Sequence, residues 1–378
     1  MKIVVAIDSF KGSLTTFESG AAVKEAAENV FEKAQVKICP LADGGEGTVA
    51  AVTSALDGRL CRATVSDPLG RSVEAEYGVA GDTAIIEMSA AAGITLISEG
   101  ERNPLATTTY GVGELIAHAV RGGCRKFIVG IGGSATNDGG VGMLSALGFE
   151  FLDGSGAPVP RGAARLAAIS RIVTENAMSE LAECEFHIAC DVKNPLCGEN
   201  GCSAVYGPQK GATPQMIEDM DRYLAHYADL TAKAVGSDNR DHPGAGAAGG
   251  MGFAFVSYLG GTLESGIDLV IGATDLKREL EDADLVITGE GRLDSQSAMG
   301  KAPVGVARAA KKYGKTVIAF CGSAKDDAYV CNDHGIDAFF PILQAPATLA
   351  EAMDKNNAYR NLKATAEQVF RLIRITGK

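Results

Sequence analysis

Carboxylates, lysines, hydroxyls and glycines recur together at five points in the chain, each directly after a short β-rich run. The clusters begin at Asp8 (Asp8-Ser9-Phe10-Lys11-Gly12-Ser13), Asp43 (Asp43-Gly44-Gly45-Glu46-Gly47-Thr48), Gly132 (Gly132 to Gly140), Asp191 (Asp191-Val192-Lys193-Asn194-Pro195) and Gly289 (Gly289-Glu290-Gly291). In open α/β sheets ligands bind outside the carboxyl ends of the strands, so clusters placed there should converge on one cleft, between two domains. Asp and Gly also make ordinary turns after strands. That bland account explains one cluster well and five carboxylate-bearing clusters poorly.

The residue types fit phosphoryl transfer. Such chemistry needs Mg²⁺ held by one or two carboxylates and phosphate oxygens, cations, and a group that orients the attacking hydroxyl. Gly132 to Gly142 reads as a strand end, a glycine-rich turn with hydroxyls at Ser134 and Thr136, and then a helix. Exposed backbone N–H groups at a helix N-terminus form an anion site. Gly132, Gly133, Ser134, Thr136, Asn137 and Asp138 are therefore the expected nucleotide-phosphate contacts, joined by Gly289 and Lys301. The turn matches neither a Walker A loop nor a dinucleotide fingerprint. Asp43, Glu46 and Glu290 are the expected metal carboxylates. Lys11, Lys193, Lys210 and Lys301 lie in or beside the loops. One such lysine alone reads as a solvated surface residue, so phosphoryl transfer would need several acting together.

Other chemistries fit less well. The five histidines show no metal-binding pair, and His187, Cys190, Cys197 and Cys202 match no common zinc spacing. There is no Gly-x-Ser-x-Gly elbow for a serine hydrolase.

The elements that must position these loops are alternating strands and helices. Lys2 to Ile7 reads as a buried strand, and Thr15 with Glu18 forms a capping box before Ala22, Val23, Ala26, Ala27 and Val30 at helical spacing. Val36 to Ala42 is a second apolar run. Residues 60–90 read as an antiparallel meander and open an insert, within which Phe127–Ile131 and Phe186–Cys190 are strands. Thr213 and Pro214 start a helix that ends near Gly236. Strands at Leu285–Thr288, Thr316–Cys321 and Ala338–Leu343, and a long helix from about Thr348, return to a parallel α/β pattern. The glycine-rich stretch 244–252 reads as a loop of close backbone approach. The expected architecture is an α/β protein with a parallel-sheet domain from residues 1–60 plus 284–378 and an inserted α/β, mixed-sheet domain from 61–283.

Composition bounds the rest. With 378 residues, 22% charged and 46% hydrophobic, the chain is a folded protein of two domains or of one with a large insertion. Its net charge of −12 argues against nucleic-acid or anionic-membrane partners. Nine scattered cysteines suit reduced thiols, and no secretory or membrane-spanning segment is read, so a soluble cytoplasmic protein is expected. Self-association is left open.

At these loops the sequence resembles the bacterial type I glycerate kinase family over nearly its whole length. Six blocks in order carry the resemblance: Asp8 to Leu14, Ala42 to Thr48, Gly130 to Gly140, Gly207 to Ala212, Pro243 to Gly250, and Thr288 to Gly291. Ile7, Cys202 and Tyr206 stand where Pro, Ala and Phe are usual. The resemblance implies a flavodoxin-like domain carrying an inserted α/β domain, and ATP- and Mg²⁺-dependent phosphorylation of D-glycerate, most often at the 2-hydroxyl. It assigns no individual roles. From residue chemistry, Asp8, Ser9, Lys11, Asn194, Lys210 and Gly246 are the expected glycerate contacts, and Asp191 orients the attacking hydroxyl with Lys11 and Asp43 as further catalytic groups. Asp43 is the alternative to Asp191 in that role. The residues also fit two other functions: a kinase for another hydroxy or sugar acid, and a non-catalytic sensor of small acids.

Overall fold

The computed structural model describes residues 1–377. The chain forms two compact units: Met1–Asp43 with Ala50–Asp57 and the segment from Ser265 onward, and Gly44–Val49 with Gly58–Glu264. Residues 265–283, expected with the insert, pack in the first unit. The physical reason is an apolar contact: Ile267, in the helix Gly266–Ala273, occupies the space a side chain at Gly305 of the helix Ala302–Lys311 would take.

The first unit is built on five parallel strands in the order Ala338–Pro341, Thr316–Ala324, Leu285–Leu293, Lys2–Ile7 and Gln35–Ile38. Ile3 to Ile7 is buried on both faces, the near-continuous apolar run that a parallel sheet covered by helices requires. The helix Thr16–Val30 packs with the helix Lys355–Thr376 on one face, where Val23, Ala26 and Ala27 meet Leu362, Ala366 and Phe370 in a shared core with Ile3, Val5 and Ile7. Its start is fixed by the capping box: Glu18 N–H donates to Thr15 Oγ1 at 3.2 Å, and Thr15 N–H donates to Glu18 at 3.0 Å. The long C-terminal helix begins later than its apolar pattern suggests. Thr348 caps a short helix, Leu349–Met353, and the extended Asp354 caps the next one.

The second unit holds a six-stranded mixed sheet ordered Thr262–Glu264, Glu185–Ala189, Lys126–Gly130, Thr83–Glu87, Ser72–Ala80 and Arg59–Ser66. The last three form the antiparallel meander, and Thr83–Glu87 then pairs in parallel with Lys126–Gly130. The helix Pro214–Val235 covers this sheet's core with Leu224, Tyr227 and Ala228 and stops at Gly236, whose φ is +79°. Among the described residues no helix is long and apolar enough to cross a membrane.

Candidate active site

The parallel sheet reverses its winding between two neighbouring strands. From Lys2–Ile7 the chain moves outward to Gln35–Ile38, whereas from Leu285–Leu293 it moves the opposite way to Thr316–Ala324 and Ala338–Pro341. Such a reversal opens a crevice at the strands' carboxyl ends. Asp8 follows the first strand and Glu290 lies in the second, and Asp8 N–H donates to the Gly289 carbonyl at 2.9 Å, which locks the two loops together. A side chain at Gly289 would come within 2.1 Å of the Phe320 carbonyl oxygen, so the backbone closes up there.

A cavity of about 660 Å³ lies at this end of the sheet, and its charged part is lined by Asp8, Lys11, Asp43, Glu290, Arg292 and Lys301. Three acidic and three basic side chains balance there, whereas the whole chain carries −12. Lys11 Nζ donates to Asp43 Oδ2 at 3.3 Å. Asp8 is buried, and its carboxylate accepts from Ser9 N–H at 2.7 Å. Burial and the neighbouring Asp43 charge push the Asp8 carboxyl up to about 7, against the opposing pull of Lys11. Burial also raises Glu290, although the Ser297 hydroxyl donates to its carboxylate and Lys301 opposes the shift. Burial works against the Lys11 ammonium, but Asp43 and Asp8 outweigh it and hold the amine above its ordinary range. Asp294 belongs to the scaffold: it caps the helix Ser295–Ala298 and pairs with Lys325 at 3.3 Å and Arg292 at 3.5 Å.

The glycine-rich turn of the second unit is mostly interior. Gly132 and Gly133 are exposed and Ser134 is half-buried, but Thr136, Asn137 and Asp138 are buried. Asp138 accepts from Thr109 N–H (2.8 Å) and hydroxyl (3.0 Å), from the Thr108 hydroxyl (3.3 Å), and from the Gly140 and Gly142 N–H groups (both 3.2 Å). The following helix, Val141–Ala146, thus has its first amides engaged by an internal carboxylate, and Met143 N–H donates to Thr109 Oγ1 at 2.9 Å. The N-terminus expected to face an anion faces Asp138. Burial raises the Asp138 carboxyl despite those donors. Asn137 Nδ2 donates to Ser203 Oγ at 2.9 Å.

Other nominated residues are engaged as well. Lys210 is 2% exposed and donates from Nζ to the Thr136 carbonyl at 2.7 Å; burial lowers its amine to about 8. It has no exposed ammonium to offer a substrate carboxylate. Gly246 N–H donates to the Asn194 carbonyl at 2.9 Å, and the Pro195 carbonyl lies 2.2 Å from where its Cβ would be. Gly249 (φ +71°) is closed off in the same way by the Thr136 carbonyl, so 244–252 is a loop of backbone packing. Asn194 donates to the Asn200 carbonyl at 2.8 Å and accepts from the Tyr206 hydroxyl at 2.6 Å. Asp191 and Lys193 are exposed just beyond the strand Glu185–Ala189, and Glu46 is exposed in the second unit. Among the described residues no three His, Cys, Asp or Glu side chains are gathered in metal-holding geometry.

Part of the cavity was not read from the sequence. Ile342, Leu343, Leu349, Met353 and Asn361 line it from the loop after the Ala338–Pro341 strand and from the two helices beyond. That strand end carries apolar residues in place of the Gly-carboxylate pattern. The usable signal was Leu349 and Met353, apolar residues beside a capping box, which the fold leaves 79% and 37% exposed.

The sequence profile of the glycerate kinase family matches residues 3–374. A Haemophilus influenzae protein named glycerate kinase is 48% identical over 375 residues, covering 99% of each chain. An Escherichia coli protein named glycerate 2-kinase is 48% identical over 364 residues, covering 96% of this chain and 95% of its own. The crystal structure of a putative glycerate kinase 2 from Salmonella typhimurium superposes with a TM-score of 0.91 at 45% identity, covering 100% of this chain and 99% of the other. A profile match across nearly the whole chain, with relatives this similar over nearly their full length, places the protein in the glycerate kinase family.

Proposed function

We propose that the protein transfers the terminal phosphoryl group of ATP to the 2-hydroxyl of D-glycerate. The observation that carries this reading is the charge-balanced cluster of Asp8, Lys11, Asp43, Glu290, Arg292 and Lys301 at the reversal point of the parallel sheet. Phosphoryl transfer is catalysed mainly by positioning and electrostatic stabilisation, so paired lysines and carboxylates at one ligand crevice are the parts it needs. The 2-position is favoured by the name of the Escherichia coli relative.

Within the first unit, Lys11 and Lys301 meet phosphate oxygens, and Asp8 with Ser9 holds the substrate's polar groups. Asp43 and Glu290 are hard oxygen donors in one cavity, a donor set that suits Mg²⁺ with water and phosphate completing its shell. When bound there the ion neutralises charge on the phosphate chain; Glu46 is a third candidate donor. In the second unit, Gly132, Gly133 and Ser134 are the accessible part of the glycine-rich turn and the part proposed to meet phosphate. Asp191 is proposed to orient the attacking hydroxyl. Asp8 is a second reading for that role, favoured by a carboxyl that releases its proton near pH 7.

The test is release of ADP that depends on D-glycerate and Mg²⁺, with phosphorus NMR of the product. A 2-phosphoglycerate resonance is expected. A 3-phosphoglycerate product overturns the position, and no ADP release across a wide range of pH and Mg²⁺ overturns the reaction.

A further inference from the structure

The cavity in the first unit is larger than its charged cluster accounts for. About 660 Å³ lies in the range of sites for ligands much bigger than a three-carbon acid. Part of its lining is apolar, formed by Ile342, Leu343, Leu349, Ala352 and Met353. Leu343, Leu349 and Met353 are 40%, 79% and 37% exposed, a grouping of large apolar side chains that marks a site for something else to cover. Asn361 lines the same cavity from the C-terminal helix, and its amide makes no hydrogen bond among the described residues. A side-chain amide offers donors and an acceptor side by side. The edge of adenine carries the complementary pair, an amino donor beside a ring-nitrogen acceptor.

One concave space therefore combines an apolar lining, a lone amide and lysine-bearing charged groups. Nucleotides have that set of properties: an apolar ring with a hydrogen-bonding edge, and phosphates. Building on the ATP-dependent reading above, we infer that the apolar lining seats the adenine ring of the nucleotide, with Asn361 reading the ring's edge and Lys11 and Lys301 at the phosphates. A peptide side chain or an acyl chain could use the apolar lining, but neither accounts for the unpaired amide or for continuity with the lysines.

Binding tests this directly. The chain has no tryptophan, so Leu349→Trp places a single tryptophan, excited selectively over the tyrosines, at the proposed ring site on an exposed side chain. ADP is expected to change the emission of that variant, and inorganic tripolyphosphate is not. By calorimetry, Asn361→Ala and Ala352→Phe are expected to weaken ADP binding by about tenfold or more, with tripolyphosphate and D-glycerate binding as in the unaltered protein. Circular dichroism and melting temperature identify variants that fold; if Ala352→Phe does not, the other two variants decide. ADP affinity unchanged in both variants, or an emission change produced by an acyl chain and not by ADP, overturns the inference while leaving the kinase reading intact. An unaltered protein that binds no adenine nucleotide overturns the kinase reading itself.

Discussion

The Lys11 ammonium lies 3.3 Å from the Asp43 carboxylate, where two loops of one unit meet at the carboxyl ends of one parallel sheet. An ion pair with an exposed lysine adds at most about 1 kcal/mol to stability. Removing a cation that stabilises a transferring phosphoryl group is far more damaging, on the order of 10²–10³ in rate. Lys11→Met is therefore expected to melt within a few degrees of the unaltered protein and to lose about 10²-fold or more in turnover. Thermal melts and glycerate-dependent ADP release measure the two quantities separately, and full turnover in the variant removes Lys11 from the reaction.

Asp8 ties activity to pH. Burial and Asp43 lift its carboxyl to about 7 in the folded protein, whereas the unfolded chain releases that proton near pH 4, as model carboxylates do at about 3.9. The folded state thus binds the extra proton between these values, and the contribution of Asp8 to stability falls as pH rises from about 4 to about 7 and is level above that. Asp8→Asn should be more stable than the unaltered protein at pH 8, by on the order of 4 kcal/mol, with the difference vanishing near pH 4. Urea unfolding at the two pH values measures it. If ionised Asp8 accepts the substrate hydroxyl's hydrogen bond, kcat/KM for D-glycerate rises through about pH 7, and Asp8→Asn abolishes that limb. A flat profile assigns Asp8 no titrating role.

Local chemistry made some elements readable and left others hidden. The Thr15–Glu18 capping box and the Thr213, Pro214 and Gly236 signals act within a few residues, and the helices start and stop where those signals lie. The loop at Asp8 and Glu290 was legible because position after a strand is itself a tertiary statement in a parallel sheet. Thr136, Asn137 and Asp138 look like ligand contacts in one dimension. Their burial depends on Tyr227, Gly249 and Thr109, which lie far from them in the chain and pack against or bond to that turn. Asn361 sits mid-helix with no local signal, and only the placement of the helix Lys355–Thr376 beside the Ile342 loop brings it into the cavity.

Glu290 and Ser297 bear on the metal. The Ser297 hydroxyl donates to Glu290 and fixes one carboxylate oxygen, while the cavity also contains Asp43. Glu290→Gln keeps the shape and removes the charge, so the Mg²⁺ concentration at half-maximal ADP binding and at half-maximal rate should both rise, by about tenfold or more. Ser297→Ala, which removes only the orienting bond, should move both in the same direction, within the range of about 10–100-fold known for partners of metal ligands. Calorimetric titration of Mg²⁺ in the presence of ADP checks this independently of turnover. An unchanged Mg²⁺ dependence in Glu290→Gln moves the metal to other carboxylates.

Asp138 and Lys210 separate scaffold from site. Asp138→Ala leaves the N–H groups of Thr109, Gly140 and Gly142 without their acceptor in the interior. Each buried donor left without an acceptor costs about 1–3 kcal/mol, so the melting temperature should fall by on the order of 10 °C. The protein that remains folded should bind ADP with affinity within about threefold of normal, because the carboxylate reaches no ligand surface. Lys210 is held at about 8 by burial, below the usual lysine range of about 10.4. Below pH 8 the folded state must keep a buried charge, and that penalty disappears as pH rises through about 10. Lys210→Met fills a similar volume without the charge and should be at least as stable as the unaltered protein at pH 7, with the advantage shrinking by pH 10. Its KM for D-glycerate should not change. A large rise in that KM, with melting unaffected, returns Lys210 to the substrate site and implies an opened form of the second unit that exposes its amine.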